Sequence, residues 1–194
     1  MISVQIVSRM KKINIGFIWY PVTTLGYGKR LGVWFQGCSK RCENCISPEF
    51  QLLNGGTTYA AEEIVNSICD KQEIDGLTIS GGEPFDQPEG LLKLVMMYKE
   101  KINDDILIFT GYTLDELHEK KSSIIEEILR NIAVLIDGRY MDDKNNGIGL
   151  RGSINQKINV WKYNERYSNA DETNRKMQCV LMNDRLRLIG IPPK

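Results

Sequence analysis

The stretch GLTISGGEPFDQPEGLLKLVMMYKEKINDDILIFTG, Gly76 to Gly111, decides the fold. Its first five residues form a short apolar run that predicts a buried strand, and two glycines follow at once. LLKLVMMYKEK, Leu91 to Lys101, predicts a helix, and DILIFTGY, Asp105 to Tyr112, a second strand. Strand, loop, helix, strand is the crossover that parallel pairing requires. The pattern continues downstream, where TLDELHEK and SSIIEEILRN predict helices and IAVLIDG a further strand. Upstream, Ile13 to Tyr20 predicts a strand stopped by Pro21, and LGVWFQ, Leu31 to Gln36, another. Between Tyr59 and Lys71 the apolar residues Ala60, Ile64, Val65 and Ile68 recur at helical spacing. This alternation predicts an α/β fold with helices packed on a parallel sheet, and functional residues on loops at the carboxyl ends of the strands. The loop after LGVWFQ, the Gly81-Gly82 pair, Thr110-Gly111 and Asp137-Gly138 then share one rim.

After Tyr140 the pattern weakens. MDDKNNGIGLRGSINQ predicts a loop, KINVWKY a strand, and Asn164 to Lys176 a polar, flexible stretch. QCVLMNDRLRLIGI predicts a β-hairpin turning at Asn183-Asp184. The expected organisation is a leader over 1–12, a core domain over 13–163 and a C-terminal extension over 164–194.

At 194 residues the chain has room for one domain with a sizeable core. Lysine plus arginine and aspartate plus glutamate both total 25, so no net field attracts nucleic acid or an anionic membrane. The longest apolar runs, Ile15 to Trp19 and Ile132 to Ile136, fall far short of the roughly 20 residues of a membrane span. No signal peptide is read at the N-terminus, which implies the cytoplasm. In a reducing compartment, five cysteines with three crowded together favour metal ligation or catalysis over disulfides.

Those three, Cys38, Cys42 and Cys45, lie in GCSKRCENC, in the loop after a predicted strand. Three thiolates on one loop wrap a compact centre. A structural zinc site needs a fourth ligand. The one histidine, His118, reads as a solvated helix residue, and Cys69 and Cys179 as packing residues. A four-iron cluster is the other candidate, because three thiolates leave one iron free to bind something else. Gly81 and Gly82 allow backbone to approach a ligand closely, and Glu83 supplies a carboxylate for an ammonium or for fixing the loop.

The Cys-x3-Cys-x2-Cys loop and the SGGEP stretch, Ser80 to Pro84, together resemble the radical S-adenosylmethionine superfamily. GYGKRLGVWFQGC, FTGYTLDEL, LIDGRY and RGSINQ follow in the order of one group within it, the activating proteins of anaerobic ribonucleoside-triphosphate reductase. The similarity spans about Gly26 to Val160. The chain departs from that group at Tyr27, where proline is common, and at Asn44, where glycine usually precedes the last cysteine.

The resemblance implies a partial (β/α)6 TIM-type barrel with parallel strands, carrying here a short C-terminal β-hairpin extension. It implies a [4Fe-4S] cluster on Cys38, Cys42 and Cys45, with S-adenosylmethionine on the open iron. Asn44 and Ile46 would touch the adenosine portion, while Gly81, Gly82 and Glu83 would face the methionine end. Thr110, Asp137 and Arg139 would reach the cofactor's polar groups. No catalytic residue is implied beyond cluster and cofactor. The implied activity is reductive cleavage of S-adenosylmethionine to a 5′-deoxyadenosyl radical that generates a glycyl radical on a partner enzyme, with flavodoxin or ferredoxin as electron donor. A second reading is a small radical enzyme modifying a peptide or metabolite, and a third a zinc or electron-transfer module. Trp34, Phe35 and Trp161 read as core packing first and as lining of the site second.

Overall fold

The computed structural model describes residues 12–71, 73–182 and 184–194, so the expected leader lies outside the described residues except for Lys12. In chain order the strands are β1 (Ile13–Val22), β2 (Arg30–Phe35), β3 (Thr57–Tyr59), β4 (Gly76–Gly81), β5 (Ile106–Phe109), β6 (Val134–Asp137), β7 (Lys157–Val160), β8 (Met177–Met182) and β9 (Arg185–Gly190). The helices are α1 (Ala61–Asn66), α2 (Pro88–Lys101), α3 (Leu114–Glu119), α4 (Ser123–Asn131) and α5 (Asn164–Tyr167). Seven strands make one sheet in the order β3-β1-β2-β4-β5-β6-β7, and β8 and β9 form a separate hairpin. The fold is mixed α/β.

The six long-range strands expected of the core all form, but only β2, β4, β5 and β6 run parallel. β1 is antiparallel to β2, and β7 is antiparallel to β6. The reason lies in the connections. A parallel neighbour needs a crossover of a dozen or more residues, usually a helix, whereas Thr23 to Lys29 is a short glycine-containing turn. The link between β6 and β7 is longer but carries no crossover helix, only the 3₁₀ turn Asp142–Lys144, and the chain re-enters the sheet at the end where β6 left it. A three-residue strand the periodicity did not signal, β3, extends the sheet beside β1 through Ile13↔Tyr59 and Ile15↔Thr57.

Strand side chains alternate between two faces. Leu31, Val33 and Phe35 of β2, Leu77 and Ile79 of β4, and Ile106 and Ile108 of β5 pack against Ile64 and Val65 of α1, Leu91, Leu94 and Val95 of α2, and Ile125 and Ile128 of α4. Each such fully buried aliphatic side chain contributes roughly 1.5–3 kcal/mol. The opposite face carries Trp34, Leu107, Val134 and Ile136, and it is covered by chain that follows the last parallel strand. α1 is shorter than its apolar spacing suggests. Ser67 Oγ donates to Ile64 O at 2.7 Å, a local bond that competes with the helix ladder. Cys69 therefore lies beyond the helix and is exposed, not buried on it.

The polar stretch 164–176 is pinned rather than flexible. Tyr167 is 2% exposed, meets Tyr27 edge-on with ring centroids 5.2 Å apart, and donates to Asp105 Oδ1 at 2.8 Å. Asp105 also pairs with Arg166 and with the fully buried Arg30 at 3.2 Å. Arg30 further donates to Thr78 Oγ1 at 2.7 Å and to Leu77 O at 2.8 Å. Arg30 thus sits at the end of β2 away from the cysteine loop, as a structural pin. Its partners are distant in sequence, so composition alone could not reveal them.

Candidate active site

Strand register sets the rim. Phe35 pairs with Gly81, and Phe109 with Ile136, so the loops leaving β2, β4, β5 and β6 emerge side by side. The cysteine loop is closed at its base by Gly37 N donating to Phe50 O at 2.9 Å. The glycine loop lies directly against that base. Gly82 N donates to Phe35 O and Glu83 N to Gly37 O, both at 2.8 Å. A Cβ on Gly82 would stand 2.1 Å from Gly37 O, and Gly81 takes φ +97°. Gly82 is therefore demanded by backbone approach, and Gly81 by its conformation as well.

One cleft is lined by Cys38, Cys42, Cys45 and Ile46 together with Gly81, Gly82, Glu83, Thr110, Gly111 and Gly138. Its apolar side is formed by Leu25, Trp34, Phe109 and Ile191. Trp34 therefore lines the site, whereas Phe35 is core and Trp161 is exposed. Among the described residues no three of His, Cys, Asp and Glu are gathered tightly enough to hold a single metal ion. Burial pushes the Cys38 thiol up, against the lowering effect of the Arg41 and Lys40 backbone. Among the described residues no other sulfur or imidazole lines the cleft: Cys179 is exposed on β8, not packed, and His118 Nδ1 pairs with Glu126 at 2.7 Å.

Glu83 is 1% exposed. Its carboxylate accepts from Thr110 Oγ1 at 2.8 Å, Gly111 N at 2.8 Å and Phe85 N at 3.0 Å. Burial raises its pKa to about 7 despite those three donors, and Asp86 nearby adds to the rise. The expected Thr110 and Glu83 are thus joined to each other. Asp137 does not line the cleft. Its carboxylate accepts from Leu114 N at 2.7 Å and Asn159 Nδ2 at 3.0 Å, which fixes the start of α3 to the sheet. Asn44 and Arg139 lie with Cys42 on an adjoining groove rather than in the cleft. Asn44 adopts φ +50°, the left-handed region where asparagine is tolerated next after glycine. That backbone angle favours glycine and accounts for asparagine being the residue that stands in its place. Arg139 donates to Lys40 O and so braces the cysteine loop.

Sequence reasoning missed the rest of that brace. Asp86 accepts from Ser39 N at 2.8 Å, from Ser39 Oγ at 3.0 Å and from Tyr112 Oη at 3.0 Å. Lys40 Nζ lies 3.2 Å from Glu116 and 3.5 Å from the centre of the Tyr112 ring. Asp86 and Tyr112 flank recognisable motifs, but only their meeting in space marks them. Gln156, in RGSINQ, is likewise buried, linking Gly152 N and Gly138 O at 2.7 Å each.

A family model described as a 4Fe-4S single cluster domain matches residues 24–159. The chain is 32% identical over 153 residues to the anaerobic ribonucleoside-triphosphate reductase-activating protein of Haemophilus influenzae, covering 74% of this chain and 96% of that protein. It is 33% identical over 150 residues to the protein of the same name from Vibrio cholerae, covering 72% and 94%. The corresponding protein of Escherichia coli K12 is 31% identical over 150 residues, with the same coverage of 72% and 94%. On the strength of a domain match over most of its length and relatives spanned almost end to end, this chain belongs to the family of anaerobic ribonucleoside-triphosphate reductase-activating proteins.

Proposed function

We propose that this protein is a radical S-adenosylmethionine enzyme that activates a glycyl-radical partner of the anaerobic ribonucleotide reductase type. The observation that carries the reading is the cleft itself, where three thiols face a glycine loop and a buried carboxylate, with no fourth sulfur or imidazole beside them among the described residues. Three soft ligands around an open cleft, with no fourth among the described residues, suit a multi-iron centre with a vacant coordination position better than a closed four-ligand zinc site. Cys38, Cys42 and Cys45 would hold the cluster. Gly81, Gly82 and Ile46 would lie against S-adenosylmethionine, with Asn44 and Arg139 at the adjoining groove. The chemistry supplied by the bound centre is one-electron reductive cleavage of S-adenosylmethionine, with a hydrogen atom taken from the donor to leave methionine and 5′-deoxyadenosine.

The chain's own residues position and protect. Glu83 holds the Thr110-Gly111 and Phe85 backbones together, so the loops of β4 and β5 present one surface. Asp86, Tyr112 and Arg139 hold the cysteine loop in place without touching the cleft's apolar side. Leu25, Trp34 and Phe109 keep that side dry, in what we read as the interior of a partial barrel. Among the described residues no helix is long and apolar enough to cross a membrane, and we place the protein in the cytoplasm with a flavodoxin or ferredoxin as electron donor.

Anaerobic reconstitution tests the reading. About four irons per chain, formation of 5′-deoxyadenosine and a glycyl doublet in electron paramagnetic resonance with the partner reductase are expected. Cys42→Ala should lose the iron, whereas Cys179→Ala should keep it. One tightly bound zinc with no cleavage would overturn the reading.

A further inference from the structure

The family match ends at residue 159, yet the chain beyond it reaches the cleft. The inner face of the β8-β9 hairpin places Val180 and Ile189, with Ile191 just past the strand, in one buried cluster with Phe17, Leu25 and Trp34. The hairpin is tied to the β1-β2 turn. Thr24 Oγ1 donates to Ile189 O at 3.0 Å and Gln178 Nε2 to Pro21 O at 2.8 Å. Arg175 closes the other side, donating to Pro192 O at 2.8 Å and to Arg151 O at 2.6 Å. Gly190, at φ +137° with Lys176 O 2.5 Å from where a Cβ would be, bends the chain so that Ile191 turns toward Leu25 and Trp34. Gly190 and Ile191 then line the same cleft as the three cysteine thiols.

We propose that the C-terminal hairpin is a fixed wall of this cleft and that Ile191 is a specificity-determining residue for the hydrogen donor. The proposal rests on the radical reading above. Its basis is shape and polarity. Among the described residues the charged groups lining the cleft, Lys40 and Glu83, are both engaged by other protein groups, and the C-terminal end contributes only Gly190 and the apolar Ile191, so the hairpin acts on the donor through shape. Deleting part of that wall admits water and lets the donor sit loosely, and about 1 Å of misplacement suffices to lower hydrogen transfer by roughly a hundredfold. Enlarging it blocks approach. In both cases cleavage of S-adenosylmethionine becomes uncoupled from radical formation on the partner.

The experiment compares Ile191→Ala and Ile191→Trp with Val180→Ala in the reconstituted full-length protein, reading glycyl radical formed per 5′-deoxyadenosine released. Val180 belongs to the same buried cluster but does not line the cleft, so it controls for packing. The ratio should fall about tenfold or more for both Ile191 variants, in keeping with the selectivity of a small apolar contact, and stay at the wild-type value for Val180→Ala. An unchanged ratio in the Ile191 variants, or an equal fall in Val180→Ala, overturns the wall. A wild-type protein that forms no 5′-deoxyadenosine overturns the radical reading instead, and the wall with it.

Discussion

Gly82→Ala and Gly111→Ala add the same methyl group to neighbouring points on one rim, and the structure assigns them unequal costs. At Gly82 the new Cβ would lie 2.1 Å from Gly37 O, 2.7 Å from Gly37 C and 2.8 Å from Phe50 O, all backbone atoms of the cysteine-loop base. To regain ordinary contact near 3.4 Å the two loops must part by about 1 Å. That separation strains the hydrogen bonds from Gly82 N and Glu83 N, each worth roughly 1 kcal/mol when made and more when left unsatisfied. The cost is therefore about 3 kcal/mol, or a Tm loss of roughly 6–12 °C for a chain of this size. At Gly111 the nearest atom is Lys40 Cγ at 2.9 Å, with Lys40 Cβ and Glu83 Oε2 at 3.4 Å, so the crowding falls on side chains that need yield only a few tenths of an ångström. Gly111→Ala should cost about 1 kcal/mol, well below Gly82→Ala. Neither position has a positive φ, so conformation does not confuse the comparison. Differential scanning calorimetry of the metal-free proteins, followed by iron content after reconstitution, measures both. Equal Tm values for the two variants would refute the argument that backbone contact between these loops builds the rim.

Asp86→Ala removes the acceptor for Ser39 N and Tyr112 Oη, and iron release to a chelator should speed up about five- to tenfold with little change in Tm. An unaltered release rate would show that the cysteine loop holds itself. Glu83 titrates near 7 in the fold against 4.5 when unperturbed, so the folded state binds more protons between those values. Stability of the metal-free protein should fall as pH rises from about 4.5 to 7 and level off above, by roughly 3 kcal/mol at most relative to Glu83→Gln. A flat difference curve between the two would refute it. Asp105→Ala leaves the fully buried Arg30 without its carboxylate and should cost about 3–5 kcal/mol in urea denaturation. Arg166→Ala, which removes a pair whose arginine is 40% exposed, should cost less than about 1 kcal/mol.

Short-range pattern was sufficient wherever an element is defined by its own residues. The apolar run 76–80, the glycine pair and the amphipathic 91–101 became β4, its loop and α2, because burial of one face follows directly from periodicity. The cysteine spacing and the glycine loop were legible for the same reason, since both are local. Strand direction at the sheet edges was not. β1 and β7 are antiparallel because of what their connections lack, and a hydrophobic pattern carries no sign for direction.

The sequence by itself determined the residue types of the site and the loops that carry them, through local conformation and spacing. Only the tertiary structure decided which of them share a cleft: Glu83 with Thr110, Asp137 withdrawn to brace α3, Asn44 and Arg139 on a neighbouring groove, and Ile191 brought in from the C-terminal end. It also made the polar stretch 164–176 an anchor, through Tyr167 on Asp105. The physical reason is common to all of these. Each depends on a partner between 22 and more than 150 residues away, set by strand register and packing, and such long-range pairing leaves no trace in the periodicity of either segment alone.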